Sequence, residues 1–284
     1  TKTPTKERAA RGKVALKMAR CYDKINSTPK ALAAYSNAIR YKQAALNDRL
    51  AYARLLLKNG SYRQAAKEFE FLLDSMPDNI LVKNGLESAR KAPVWKKEGS
   101  RYKVKRMDVF NSRRDDYSPM FLSDDNSQLY FTSTRYEAQG SDLNGVTGTK
   151  SADIFFSEKD DKGKWSKPEA IGTGLNTDYE EGACCFTPDG KQMYLTQCAT
   201  DPASPRYAQI VTSNRSDAAW SKPSNLEISK DTLSCFAHPA ISPDGEWLYF
   251  VSDMPGGKGG LDIWRVRITP AGLGGVENLG EPIN

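Results

Sequence analysis

Small and apolar residues recur at helical spacing through the first hundred positions, and the set occurs twice. Ala53, Ala65, Phe69 and Leu72 form a stripe that closes one helix on another across a Gly60-Ser61-Tyr62 turn, with Pro77 as the stop. Thirty-four residues earlier stand Ala19, Ala31, Tyr35 and Ala38, with Tyr22 in the same register. The pattern predicts two antiparallel helix pairs. In the first copy Gln43 replaces the Pro, so its second helix is expected to run on towards Leu46. Residues Asn79–Lys91 are expected to form a last helix that covers the end of the stack.

After residue 100 the period changes from helical to alternating. Leu122–Phe131, Phe186–Leu195 and Ile241–Phe250 each read apolar, turn, apolar-aromatic. Two of the turns are Pro-Asp-Gly, at 188–190 and 243–245. There Pro presets φ, Asp binds its own backbone and Gly takes positive φ. The first turn is Ser123-Asp124-Asp125-Asn126, so its hairpin is expected to differ. Third strands follow at Ala152–Phe155, Ala208–Val211 and Leu261–Trp264, then Trp165-Ser166-Lys167-Pro168 and Trp220-Ser221-Lys222-Pro223. The spacing is 56 residues from Ile154 to Ile210 and 53 from Ile210 to Ile263. Four short antiparallel strands per repeat describe a propeller blade. Val109-Phe110-Asn111, Gly174-Leu175-Asn176 and Pro282-Ile283-Asn284 fall in one phase, so a fourth blade is expected beyond Asn284.

Charge separates the halves. Residues 1–100 hold 21 Lys and Arg against 9 acids, and the remainder 20 against 26, within a chain of 284 residues and net charge +6. Spread over all helix faces without interleaved aromatics, the basic residues do not fit nucleic acid. No apolar run is long enough for a membrane span. A single His, His238, excludes a multi-His metal site; it aligns with Pro119 and Ala183 at the start of an inner strand and reads as structural. Asp153 and Asp262 recur at blade spacing and read as a repeated structural hydrogen bond. Met254–Gly260 has the glycines of a phosphate loop but lacks its Ser/Thr and helix, and Asp142–Gly145 lacks the Glu of a calcium loop. The long polar loop Tyr136–Ser151 is a candidate contact segment. None of Cys21, Cys184, Cys185, Cys198 and Cys235 forms a C-x-x-C pair. Cys198 ends a second strand and Cys235 precedes the next inner strand, at the same end of the blades, which makes them the candidate disulfide; free thiols are the alternative. Neither a catalytic set, a metal site nor a cofactor is expected.

The helical half resembles the tetratricopeptide repeat. Residues His238–Gly245, Leu248-Tyr249-Phe250 and Gly260–Trp264 resemble the PD40 (TolB-like, WD40-like) propeller repeat. The expected fold is therefore α plus all-β in two domains: a helical repeat over 1–98 and about three blades of an incomplete propeller over 99–284. The helical resemblance implies a partner groove lined by Lys13, Arg20 and Lys24 on one helix and Asn47, Arg54 and Lys58 on another, suited to an acidic or C-terminal carboxylate ligand. Together the two repeats are similar to envelope proteins of Bacteroidetes that end in an OmpA-like peptidoglycan-binding domain, among them periplasmic lipoproteins of the type IX secretion system. That resemblance implies a non-catalytic scaffold of the periplasm, associated with the outer membrane. It would dock protein partners and tether secretion machinery to peptidoglycan through a further C-terminal domain. The alternatives are a TolB-like accessory propeller that binds a peptide, and the propeller of a hydrolase whose G-x-S-x-G elbow lies outside this sequence.

Overall fold

The computed structural model describes residues 7–140, 143, 148–172, 174–198, 207–217 and 219–284. The chain forms two compact units that divide after Lys105.

The first unit contains α1 (Arg8–Lys24), α2 (Thr28–Arg40), α3 (Leu46–Lys58), α4 (Tyr62–Ser75) and α5 (Ile80–Glu98). Ala19, Ala31, Ala38, Ala53 and Ala65 are completely buried, so the predicted small positions are where helices approach. Phe69 and Leu72 are also fully buried and join α4 to α3 and α5. A Cβ on Gly85 of α5 would stand 2.4 Å from the Phe69 ring, so only hydrogen fits there. The Asn79 side chain caps α5 by accepting the Leu81 and Val82 N–H groups.

Two helix ends differ from expectation. α2 does not run on to Leu46; it stops at Arg40 without a Pro. Lys42 takes φ 56° and Gln43 N–H returns to the Ala38 carbonyl, a left-handed stop that replaces proline. Asn26 and Gly60 close α1 and α3 the same way, with φ 57° and 75°. α5 is longer than expected and carries Pro93 within it.

The second unit contains three antiparallel sheets. The first is β1 (Asp116–Phe121), β2 (Gln128–Ser133), β3 (Asp153–Glu158) and β4 (Glu169–Ala170). The second is β5 (Glu180–Phe186), β6 (Gln192–Cys198), β7 (Gln209–Ser216), β8 (Ala219–Trp220) and β9 (Ser224–Asn225), with β8 and β9 both on β7. The third is β10 (Phe236–Ile241), β11 (Trp247–Ser252), β12 (Asp262–Thr269) and β13 (Gly272–Asn278). Gly190 and Gly245 take φ 65° and 75° in the Pro-Asp-Gly turns. Asn126 supplies that conformation in the first hairpin, at φ 52°.

The first hairpin is one residue longer than the others. Leu122 N–H bonds Gln128 C=O, whereas Thr187 bonds Gln192 and Ser242 bonds Trp247. The alignment of the inner strands therefore shifts by one. His238 corresponds to Ser118 and Ala183, not to Pro119. All three have positive φ (54°, 50° and 47°), each at a break in strand register.

The sheets pack face to face. Tyr130 and Ile154 of the first meet Phe186, Met193, Leu195 and Val211 of the second. Tyr194 and Ile210 of the second meet Phe236, Leu248, Phe250 and Trp264 of the third. Thr132 Oγ1 accepts the Ala183 N–H at 3.0 Å, and Thr196 Oγ1 accepts the His238 N–H at 2.8 Å. The next position in this series is Val251, which has no acceptor. On the near side of the first sheet, the buried Arg135 pairs with Asp116 at 2.6 Å and lies over the Phe131 and Phe155 rings.

Candidate functional site

In the helical unit, the side chains of all six candidate groove residues lie on exposed positions of α1 and α3. The fold engages two of them. Arg20 Nε donates to Asp48 Oδ1 at 2.9 Å, and the other Asp48 oxygen accepts the Ala45 N–H at 3.0 Å. Arg20 thus braces α1 against the start of α3. Lys58 donates to the Asn26 side chain, across the turn after α1. Lys13, Lys24, Asn47 and Arg54 complete the exposed face.

A second basic feature escaped the sequence. Arg8 and Arg11 at the start of α1 meet Arg40, Tyr41 and Lys42 after α2 around a recess of about 610 Å³. A hydrogen bond from Arg11 lowers the Tyr41 hydroxyl pKa. The signal was the Arg40-Tyr41-Lys42 triplet, but its meeting with Arg8 depends on α2 stopping at Arg40.

In the β unit, the turn ends of β1, β5 and β10 converge on a recess of about 460 Å³ walled by Pro119, Phe121, Phe186, Pro188, Ile241 and Pro243. His238 is exposed, and its N–H is held by Thr196. A further recess of about 380 Å³ lies between the first two sheets, lined by Tyr130, Phe156, Trp220 and Arg215. Trp220 Nε1 donates to the Tyr130 hydroxyl at 3.2 Å, and Arg215 Nη2 donates to Gln128 Oε1 at 3.3 Å. Arg215 Nε is buried with no hydrogen-bond partner among the described residues, and the guanidinium lies over the Trp220 ring.

Asp153 and Asp262 occupy one repeat position in two different environments. Asp262 accepts the N–H groups of Lys258 and Gly259 and the Asn278 amide, which hold its carboxyl below the usual range. The glycine loop thus wraps a carboxylate of its own sheet. Asp153 is completely buried; among the described residues it accepts the Gln139 N–H, at 2.5 Å, and its Oδ1 has no hydrogen-bond partner. Burial, aided by the Glu181 carboxylate, pushes it up to about 6. The recurrence is structural in one sheet and a buried acid in the other. The calcium-like residues Asp142, Asn144 and Gly145 lie outside the described residues, and so does part of the Tyr136–Ser151 loop.

Cys184 faces the core between the first and second sheets, and Cys185 the core between the second and third. Burial pushes the Cys184 thiol up to about 12. Cys198 and Cys235 are half-buried free thiols. Among the described residues, no group of His, Cys, Asp and Glu is arranged to hold a metal ion. No helix among them is long and apolar enough to cross a membrane.

No family model and no curated protein matches the sequence. Solved structures similar to it in part include two hydrolases. One is a puromycin-hydrolysing peptidase of Mycobacterium tuberculosis, 18% identical over 59% of this chain and 23% of that one, at a TM-score of 0.37. The other is an α-L-arabinofuranosidase from Lactobacillus brevis, 14% identical over 60% of this chain and 52% of that one, at a TM-score of 0.36. The chain therefore matches about a quarter and about half of their lengths. At these scores neither activity carries over to it.

Proposed function

We propose that this protein is a non-catalytic scaffold of the cell envelope, PorE-like in organisation. Its helix pairs serve as tetratricopeptide repeats and its sheets as PD40 blades. The observation that carries the reading is that both units are built by repetition. Alanines close the helix pairs at a period of thirty-four, and the first two sheets present the same Tyr and Ile positions to the sheet that follows. Such repeats supply extended surfaces for other proteins.

The third sheet supports the propeller reading further. Tyr130 and Tyr194 are 3% exposed, and Ile154 and Ile210 are 0% and 1%. At the same positions Tyr249 is only half-buried and Ile263 is 39% exposed. Ile283, which corresponds to the buried Leu175, is 58% exposed. This face fits a further blade of the same repeat.

In this reading the exposed basic face of α1 and α3 docks an acidic segment of an outer-membrane secretion component. A peptidoglycan-binding domain elsewhere in the protein supplies the tether. Lys24→Glu with Arg54→Glu tests the docking face, because both side chains are exposed. The double variant should keep its helical circular dichroism and lose co-purification of secretion components from solubilised envelopes. Unchanged co-purification would remove this face from the proposal.

A further inference from the structure

We propose that Cys198 and Cys235 are a redox pair that closes into a disulfide joining the second sheet to the third. The two sheets already touch at Thr196, whose hydroxyl accepts the His238 N–H at 2.8 Å. A second contact lies beside it: the Phe236 N–H donates to the Ala208 carbonyl at 3.0 Å, next to Gln209, which pairs with Gln197, so β10 runs against β6. From the Thr196–His238 contact, β6 continues two residues to Cys198, and β10 traces back three to Cys235. Both cysteines therefore leave the contact towards the same end of the sheets.

The two thiols share one electrostatic neighbourhood. Burial, then the Glu180 carboxylate and a charge on Cys235, raise the Cys198 thiol; Glu180, then burial, then charges on both cysteines, raise the Tyr207 hydroxyl. Neither cysteine belongs to a packed core. Cys184 and Cys185 do, each in a separate interface, and Cys21 is exposed in the helical unit. Half-burial leaves Cys198 and Cys235 open to a small disulfide reagent.

Glutathione disulfide is a sufficient oxidant. One cysteine thiolate attacks a glutathione sulfur, the S–S bond breaks, and glutathione thiolate leaves. The second cysteine attacks the resulting mixed disulfide and expels the second glutathione. The two protons lost by the cysteines end on the two glutathione thiols, and the protein pair is oxidised by two electrons. The bond would add a covalent link where the second and third sheets now meet through the Thr196 hydroxyl, the Ala208 carbonyl and their shared core.

The intact protein, equilibrated with glutathione disulfide and then alkylated, provides the test. Free thiols should fall from five to three, with one peptide pair joined through Cys198 and Cys235. The midpoint of thermal unfolding of the β unit should rise by roughly 5–10 °C over the reduced protein. Cys198→Ser and Cys235→Ser should each abolish that rise and keep the fold. Five alkylated thiols, glutathione held on a single cysteine, or a link to Cys21, Cys184 or Cys185 would each overturn the proposal.

Discussion

The Asn176 side chain completes the hydrogen bonding of Ile154, whose carbonyl also accepts the Ile171 N–H at 3.1 Å. Its Oδ1 accepts the Ile154 N–H at 2.9 Å, and its amide donates to the Ile154 carbonyl at 3.0 Å. Asn284 does the same for Ile263, with both bonds at 2.8 Å. Without the Asn176 side chain the Ile154 N–H loses its acceptor while the carbonyl keeps Ile171, and an unsatisfied buried N–H costs about 1–3 kcal/mol. Asn176→Ala should therefore lower the unfolding free energy of the β unit by about that much, read from urea denaturation. Asn176→Asp should also destabilise, because it sets a carboxylate against the Ile154 carbonyl.

Thr196 supplies one of the links between the second and third sheets. Thr196→Val keeps its shape and removes its acceptor, which leaves the His238 N–H unpaired. A loss of about 0.5–1.5 kcal/mol is expected. Hydrogen exchange at His238 should accelerate in the variant, since no other acceptor replaces the hydroxyl.

Asp153 gives the fold a pH dependence of known sign. The folded protein holds this carboxyl up to about 6, against an ordinary value of 3.8. The groups that set it are its burial and the carboxylates of Glu181 and Asp178, opposed by the Gln139 N–H and Lys150. The native state binds the proton more tightly than the unfolded state, so stability falls as pH rises from about 4 through about 6. Asp153→Asn should remove that fall, and above pH 7 it should stabilise by an amount of order 2 kcal/mol. Denaturation midpoints between pH 4 and pH 8 read the difference.

Gly85 is fixed by Phe69. A methyl group 2.4 Å from the ring forces α5 away from α4, although alanine is the better helix former by about 1 kcal/mol. Gly85→Ala should therefore cost about 1–3 kcal/mol rather than stabilise. Thermal unfolding followed at 222 nm measures the sign.

The helices and hairpins were legible because burial imposes periodicity. Ala19, Ala31, Ala53 and Ala65 are small where helices meet, and the aromatic runs from Tyr130, Tyr194 and Tyr249 mark the second strands. Local geometry was less legible. The stop of α2 resides in the left-handed backbone of Lys42, a conformation that a lysine does not announce. The extra residue in the first hairpin moved His238 opposite Ser118, since strand pairing rather than spacing fixes register. The different fates of Asp153 and Asp262 depend on how many N–H groups each loop delivers, which composition does not encode. The recess of Arg8, Arg11 and Arg40 needed the two helix ends to meet.

A scaffold that tethers secretion machinery to the cell wall must be found in both places at once. The most direct measurement is cross-linking of the full-length protein in intact envelopes, followed by sedimentation of peptidoglycan and mass spectrometry of what remains attached. The predicted result is co-sedimentation with peptidoglycan, with cross-links from the β unit or the exposed α1–α3 face to outer-membrane secretion components. Recovery in the soluble fraction alone, with no cross-link to a membrane component, would contradict it.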